Sequence, residues 1–314
     1  MKVTVIGAGS VGATIAYTLA TSGTASDILL IDINKEKAMG EAMDIIQGAP
    51  FIAPMTIEAG DYPDAVGSDV VIITSGIPRK AGQSRLELAQ TNVNVMKDIA
   101  SKITPYAKDA VYIIVSNPVD VMTYVFHKVS GIPENKIIGS GTILDTSRLR
   151  AKLAEIYDVS QTNVHAYVFG EHGDSSFATW SIANVSNVPI EQCKERFKFQ
   201  DGRPFPELNK PEIEDFVRKS GGIIISRKGA TFYAIAISVN YIVQCLSKAV
   251  DSTMTVSTMM HGAYGINDVC LSTLAIVGKN GVVGHIELPL SDEEIEKLHK
   301  SADNLRNVIN SLEL

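Results

Sequence analysis

Gly7-Ala8-Gly9-Ser10-Val11-Gly12 follows directly on the apolar run Val3–Ile6 and opens a stretch with helical patterning from 10 to 22. Three glycines at this spacing suit a strand–turn–helix unit that holds a pyrophosphate. Gly7 permits the tight turn, Gly9 lets backbone approach the phosphates, and Gly12 allows close helix–strand packing. The helix N-terminus then presents free N–H groups and the positive end of its dipole. Glycine turns are common, so the reading rests on context. That context is Asp32, which ends the second apolar run twenty residues after Gly12. A carboxylate there accepts hydrogen bonds from an adenosine ribose and repels a 2′-phosphate, so the unit predicts NAD rather than NADP as cofactor. Lys37, in the next turn, reads either as a ribose neighbour or as a solvated helix charge.

Outward from this unit, short apolar runs alternate with helical patterns through the first 140 residues. The predicted strands are Val3–Ile6, Ile28–Ile31, Met55–Glu58, Val70–Thr74, Val111–Val115 and Lys136–Ile138. Helices are predicted near 10–22, 35–47, 87–104 and 118–129. The strands are continuously apolar rather than alternating, as expected when helices cover both faces of a parallel sheet. This predicts an α/β fold, a doubly wound Rossmann sheet with ligands at the carboxyl ends of its strands. From about 141 the rhythm changes. A helix near 143–157 precedes β-like runs (Val164–Phe169, Thr179–Val185) and a polar segment, Gln200–Pro211. A long helix over about 227–249, hairpin-like runs (Asn267–Val277, Gly281–Leu288) and a last helix, 291–312, complete the chain. Ser291 and Glu294 form a capping-box pattern at its start. The expected division is 1–140, nucleotide-binding, and 141–314, an α+β substrate-binding and catalytic domain packed on it.

Composition narrows the function classes. The 314 residues are 45% hydrophobic and 20% charged with a net charge of −7, so nucleic acid is not an expected partner. An anionic substrate must be held by a few placed arginines. Cys193, Cys245 and Cys270 are odd in number, far apart and lack metal-ligand spacing, which reads as core thiols in a reducing compartment. No signal-peptide pattern or bilayer-length apolar stretch is visible, so a cytoplasmic protein without a membrane or metal partner is expected.

Three clusters sit in loops or at element ends: Gly76-Ile77-Pro78-Arg79-Lys80-Ala81-Gly82-Gln83-Ser84-Arg85, Ser116-Asn117-Pro118, and Leu144-Asp145-Thr146-Ser147-Arg148 with Gly170-Glu171-His172-Gly173-Asp174. With the glycine loop and Arg227-Lys228-Gly229-Ala230-Thr231, in this order, the whole chain resembles the L-lactate/malate dehydrogenase family. The resemblance implies hydride transfer between nicotinamide and C2 of a small 2-oxo/2-hydroxy acid. It implies that His172 is the acid/base, which suits an imidazole whose ordinary pKa lies near working pH. Asp145 would orient His172 and stabilise its imidazolium, and Arg148 would clamp the substrate carboxylate with its planar fork. Arg85 would polarise the C2 carbonyl, Asn117 would bond the same oxygen, and Thr231 would touch the substrate side chain. Val11, Tyr62, Gly76, Val115 and Asn117 would join Gly7, Gly9, Gly12 and Asp32 along the cofactor. Residues 79–85 suit a lid, and Ala81 departs from the proline common there in the family. A homotetramer, or a dimer, is implied as well. A non-catalytic NAD-binding regulator would be expected to lack one of His172, Asp145, Arg148 or Arg85, and all four are present.

The substrate signals conflict. Counting back from Arg85, Arg79 falls where lactate enzymes resemble one another in a glutamine and malate enzymes in an arginine. Oxaloacetate has a second carboxylate to pair with Arg79, whereas closing over pyruvate would bury an unpaired guanidinium. Since each ~1.4 kcal/mol is tenfold in rate, one residue can dominate discrimination. The surrounding segments, Gly139–Thr142, Phe177–Ser181 and Lys228–Thr231, look like lactate dehydrogenase. Arg150 and His165 match positions that bind fructose 1,6-bisphosphate between subunits of allosteric bacterial members; taken singly they read equally as a surface arginine and a packed histidine. The sequence reading favours oxaloacetate/malate, with pyruvate/L-lactate, or both, as the alternative.

Overall fold

Runs of β-branched and leucine residues at 2–6, 27–31, 56–59, 70–73, 111–114 and 137–139 become the parallel half of one large sheet. The computed structural model describes residues 1–77, 85–200 and 202–314. In chain order it contains β1 (Lys2–Ile6), α1 (Ser10–Thr21), β2 (Asp27–Ile31), α2 (Lys35–Gln47), β3 (Thr56–Ala59), β4 (Val70–Ile73), α3 (Arg85–Ile103), β5 (Val111–Ile114), α4 (Val119–Ser130) and β6 (Ile137–Gly139). These strands lie in the order β3-β2-β1-β4-β5-β6, all parallel. The reversal of winding between β1 and β4 is the Rossmann arrangement. Alternate side chains of β4 serve opposite cores: Val70 and Ile72 join Ile15, Leu19 and Val243, while Val71 and Ile73 join Met96, Val125 and Phe126. Burial on both faces explains why these strands are apolar throughout.

The second half comprises α5 (Ile143–Tyr157), the two-residue strands β7 (Val164–His165), β8 (Val168–Phe169), β9 (Phe177–Ala178), β10 (Asn184–Val185) and β11 (Val188–Pro189), and the short α6 (Cys193–Arg196). It continues with α7 (Lys210–Lys228), α8 (Tyr233–Ser247), β12 (Ser252–His261), β13 (Asn267–Gly278), β14 (Gly281–Ile286) and α9 (Asp292–Asn310). Leu149, Leu153 and Tyr157 of α5 pack with Ile213 and Val217 of α7 in a third core. Ser291 and Glu294 form the reciprocal cap at the start of α9.

Three sequence expectations are corrected here. The single helix over 227–249 is two helices, because Gly229 adopts φ +85° and closes α7 by donating to Ile225 O. Much of what precedes it is also helix: Asn209 caps Glu212 N, and Pro211 occupies the first turn, where its missing N–H is no loss. The runs Val164–Phe169 and Thr179–Val185 break into shorter pieces, the second around a 3-10 turn at Trp180–Ile182. Ser252–His261, absent from the predicted strands, is a ten-residue strand. It pairs antiparallel with β6 through Ser257 and Gly139, so β14-β13-β12 extend the parallel sheet to nine strands. Thr253, Thr255, Ser257 and Thr258 hide this strand from an apolar-run search, although three of the four are buried. No helix among the described residues is long and apolar enough to cross a membrane.

Candidate active site

The loop after β1 is shaped by backbone crowding. Gly7 sits at φ +107°, and its N–H donates to Ile31 O at 2.7 Å. A Cβ on Gly12 would lie 1.8 Å from Gly7 O, so only glycine lets α1 approach the strand this closely. A Cβ on Gly9 would meet nothing within 4 Å, which leaves open space in front of the turn. Gly9 also starts α1 without a side-chain cap, so the first amides of the helix face that space unsatisfied. Asp32, at the end of β2, accepts from Ala8 N at 2.6 Å and Asn34 N at 2.8 Å and ties the two turns together. Uncapped amides, an open approach at Gly9 and a half-exposed carboxylate at Asp32 are the features a pyrophosphate and an adenosine ribose require. Lys37 is exposed and Val11 lies partly against the core. Tyr62 is half-buried; burial raises its phenol above the ordinary value, with Lys102 opposing and Asp98 and Asp32 adding to the rise.

The carboxyl ends of β1, β4 and β5 converge beside this loop. Thr74 Oγ1 donates toward Ile6 O and Gly7 O, and Ser116 Oγ donates to Ser75 O at 2.5 Å. Asn92 of α3 joins the two later loops: its Oδ1 accepts from Ile77 N at 2.8 Å and its Nδ2 donates to Asn117 O at 2.9 Å. Gly76, whose Cβ position faces Asn92 at 3.7 Å, and the buried Val115 are held in this junction. Of the expected lid, 79–85, Arg79 and the residues through 84, together with the Arg85 side chain, lie outside the described residues.

α5 carries two groups one turn apart. Asp145 Oδ2 lies 2.5 Å from His172 Nδ1, and Asp145 Oδ1 accepts from Arg148 Nη1 at 2.9 Å. The carboxylate is 5% exposed and the arginine 13%, so this is a buried pair rather than a surface contact. Burial pushes Asp145 upward, but the charge and hydrogen bond of His172 and then those of Arg148 prevail and hold it below the ordinary carboxylate value. Burial likewise pushes His172 down, and Asp145 outweighs it, so the imidazole holds its proton above its ordinary pKa. With Nδ1 engaged, Nε2 is the ring nitrogen available to a substrate. Gly221 of α7 places its Cβ position 3.7 Å from Arg148 Nη2 and leaves that side of the guanidinium uncrowded. Thr231 lies half-buried in the turn between α7 and α8.

The comparisons with known proteins fall on this same frame. A family model described as the lactate/malate dehydrogenase NAD-binding domain matches residues 1–139, and its α/β C-terminal counterpart matches 142–313. The chain belongs to the lactate/malate dehydrogenase family. It is 46% identical over 314 residues to an L-lactate dehydrogenase of Acetivibrio thermocellus, covering 100% of this chain and 98% of the relative. It is 45% identical to one of Thermoanaerobacterium saccharolyticum, covering 100% and 99%. Among solved structures, the minor L-lactate dehydrogenase of Enterococcus mundtii superposes with TM-score 0.94 at 35% identity, covering 100% of this chain and 98% of that one. A lactate dehydrogenase enzyme from a Medee basin deep-sea metagenome library gives 0.93 at 36%, covering 99% and 98%. As a member of this family, the chain is an NAD-dependent 2-hydroxy acid dehydrogenase.

Two polar residues of the dehydrogenase's site were not singled out by sequence. Ser301 of α9 is fully buried, and its hydroxyl accepts from Glu171 N at 2.7 Å, next to His172. Asp120 of α4 is 2% exposed and accepts from His172 N at 2.7 Å. A carboxylate inside the apolar run Val119–Phe126 was the available signal for Asp120. Ser301 had none, because a serine on an amphipathic helix is ordinary. Arg150 Nε donates to Ala166 O at 3.0 Å and its guanidinium lies over the Tyr167 ring, two residues on from the exposed His165.

Proposed function

We propose that the chain reduces pyruvate to L-lactate and reoxidises it. The carrying observation for the substrate is that relatives named L-lactate dehydrogenase match the chain end to end at 45–46% identity. This revises the substrate preference that the sequence alone suggested. Bound NAD supplies the hydride exchange at C2. The protein's part is to place and charge the 2-oxo acid. Arg148 offers its remaining N–H donors to the substrate carboxylate. Arg85, with Asn117, meets the C2 oxygen and stabilises the negative charge that develops there. His172 Nε2 delivers the proton to that oxygen and, in the reverse direction, takes it back. Asp145 fixes the tautomer and favours the imidazolium. Thr231 borders the C3 group. Gly7, Gly9, Val11, Gly12, Asp32, Lys37, Tyr62, Gly76 and Val115 bind the dinucleotide, within a nucleotide-binding domain over 1–140 and a catalytic domain over 141–314.

Oxaloacetate is the second reading, favoured by Arg79, whose guanidinium would pair with a second substrate carboxylate. One assay separates them: NADH oxidation with pyruvate and with oxaloacetate, each with and without fructose 1,6-bisphosphate. A kcat/KM favouring pyruvate supports the first reading. A preference for oxaloacetate that Arg79→Gln reverses by about 100-fold, the ~3 kcal/mol scale of leaving one buried charge unpaired, establishes the second. Stimulation by the bisphosphate that Arg150→Gln removes would place its site at Arg150 and His165. Self-association has its own support. Tyr233, Ile237 and Tyr241 form an exposed apolar stripe at i, i+4, i+8 on α8, and Met39 and Met43 form a shorter one on α2. A dimer or tetramer would cover both.

A further inference from the structure

The mechanism above leaves one buried titratable group of the site unused. Asp120 enters from the first turn of α4, in the nucleotide-binding half, and its Oδ2 holds the backbone N–H of His172 at 2.7 Å. Its other oxygen, Oδ1, is buried without a hydrogen-bond partner, and so is the hydroxyl of Ser257 on β12 near it. A carboxylate is an extravagant way to satisfy one amide. A backbone carbonyl or a serine would do so without desolvating a charge. Retaining the charge makes sense where it acts on something nearby, and the group whose backbone it grips is the catalytic imidazole.

We propose that Asp120 is a positioning residue for His172: its carboxylate anchors the His172 backbone, while Asp145 anchors the ring, and supplies a second negative charge that favours the imidazolium. This rests on the reading of His172 as the proton donor. Asp145 and Arg148 act on the imidazole from α5 and Asp120 from α4. Around Asp120 stand His172 and Glu171, Ser257 of β12 and the buried Cys270 of β13. Burial pushes the Asp120 carboxyl up to about 6, against the neighbouring Ser257 hydroxyl dipole and the hydrogen bond from His172 N. Asp120 therefore loses its proton close to the pH range in which His172 holds one. Protonating Asp120 weakens the pull on the His172 proton without breaking the hydrogen bond to Asp145.

The test is Asp120→Asn, which can keep an acceptor for His172 N and removes only the charge. Because the folded carboxyl lies above its unfolded value of 3.8, the charge opposes folding at pH above about 6. The amide should therefore fold at least as stably as the parent at pH 7–8. The readouts are the NMR titration of the His172 imidazole and the pH profile of 2-oxo acid reduction with the better substrate. The expected result is a His172 pKa lower by about half a unit to one unit in Asp120→Asn, with the alkaline fall in kcat/KM moved down by the same amount. NADH affinity should be unchanged. In the parent protein the His172 resonances should show a second inflection near the Asp120 pKa, which Asp120→Asn abolishes. An unchanged His172 pKa, or a single inflection in the parent, overturns the proposal. The NMR arm needs no turnover, so it stands apart from the substrate reading: if neither pyruvate nor oxaloacetate is reduced, that reading fails and the titration still decides the role of Asp120.

Discussion

His172→Asn is expected to lower kcat for 2-oxo acid reduction by about 10²–10⁴-fold, the range for removing a general acid, while NADH affinity stays within about threefold. Asparagine retains a polar side chain of similar length but has no proton to exchange near neutral pH. The dinucleotide loop lies on another element, and Asp145 keeps Arg148 as partner at 2.9 Å, so the loss should fall on chemistry rather than on cofactor binding. The parent should show the matching pH dependence. Since Asp145 holds the His172 proton above the ordinary imidazole value of 6.5, reduction should be fully supported below that value and fall as pH rises through the elevated pKa. Oxidation of the hydroxy acid needs neutral His172 and should rise over the same interval. Stability follows the same sign: the His172–Asp145 pair contributes most below the unfolded imidazole pKa, and that contribution is lost as pH rises through the folded one. Stopped-flow reduction, NADH fluorescence titration and pH profiles in both directions check these outcomes. Near-parental turnover in His172→Asn would remove the residue from the mechanism.

The second large effect is expected at Gly12. Alanine there would put Cβ 1.8 Å from Gly7 O, a backbone atom that no rotamer change can move aside. α1 must shift away from β1, and the amides of its first turn shift with it. Overpacking of this kind costs about 1–3 kcal/mol, which lowers Tm by about 2–12 °C in a domain of this scale. Loss of aligned amide contacts should weaken NADH binding at least about tenfold, the equivalent of one 1.4 kcal/mol increment. Gly9→Ala is the informative partner. Its Cβ meets nothing within 4 Å, so Tm should hold while NADH affinity falls, because the methyl occupies the space the phosphates need. Thermal melts and NADH titrations of both variants separate packing from approach. Equal loss of Tm in the two would mean that the turn, and not the cofactor, requires glycine at residue 9.

How far these features could be read from sequence depended on how local their cause was. The nucleotide half was legible almost element by element, because a two-sided parallel sheet writes its strands as apolar runs and its turns as glycines. β12 was not, because its apolar residues are interleaved with buried hydroxyls, two of them on polar partners: Thr255 meets Thr146 at 2.8 Å, and Thr258 meets His285 at 2.9 Å. The break between α7 and α8 lies in Gly229, whose positive φ ends α7. In the site, His172, Asp145 and Arg148 could be named because they stand in distinctive local strings. Asp120 could not be linked to His172, 52 residues away in sequence, because only the fold brings α4 beside the turn after β8. Asp32 was read as a ribose acceptor. The structure adds a second role, since its carboxylate also staples Ala8 N and Asn34 N.

On the proposed roles, the pairing of β6 with β12 through Gly139 and Ser257 makes turnover a certificate of complete assembly. The dinucleotide loop and Asp120 come from one side of that seam, and Asp145, Arg148 and His172 from the other. Neither half then owns a working set, and the two share their cores, since Val243 packs with Ile15 and Leu19. During refolding, turnover should return only with the slowest structural phase, after far-UV signal and even NADH binding have recovered. Activity that returned with the first phase would show that the seam is not the last joint to close.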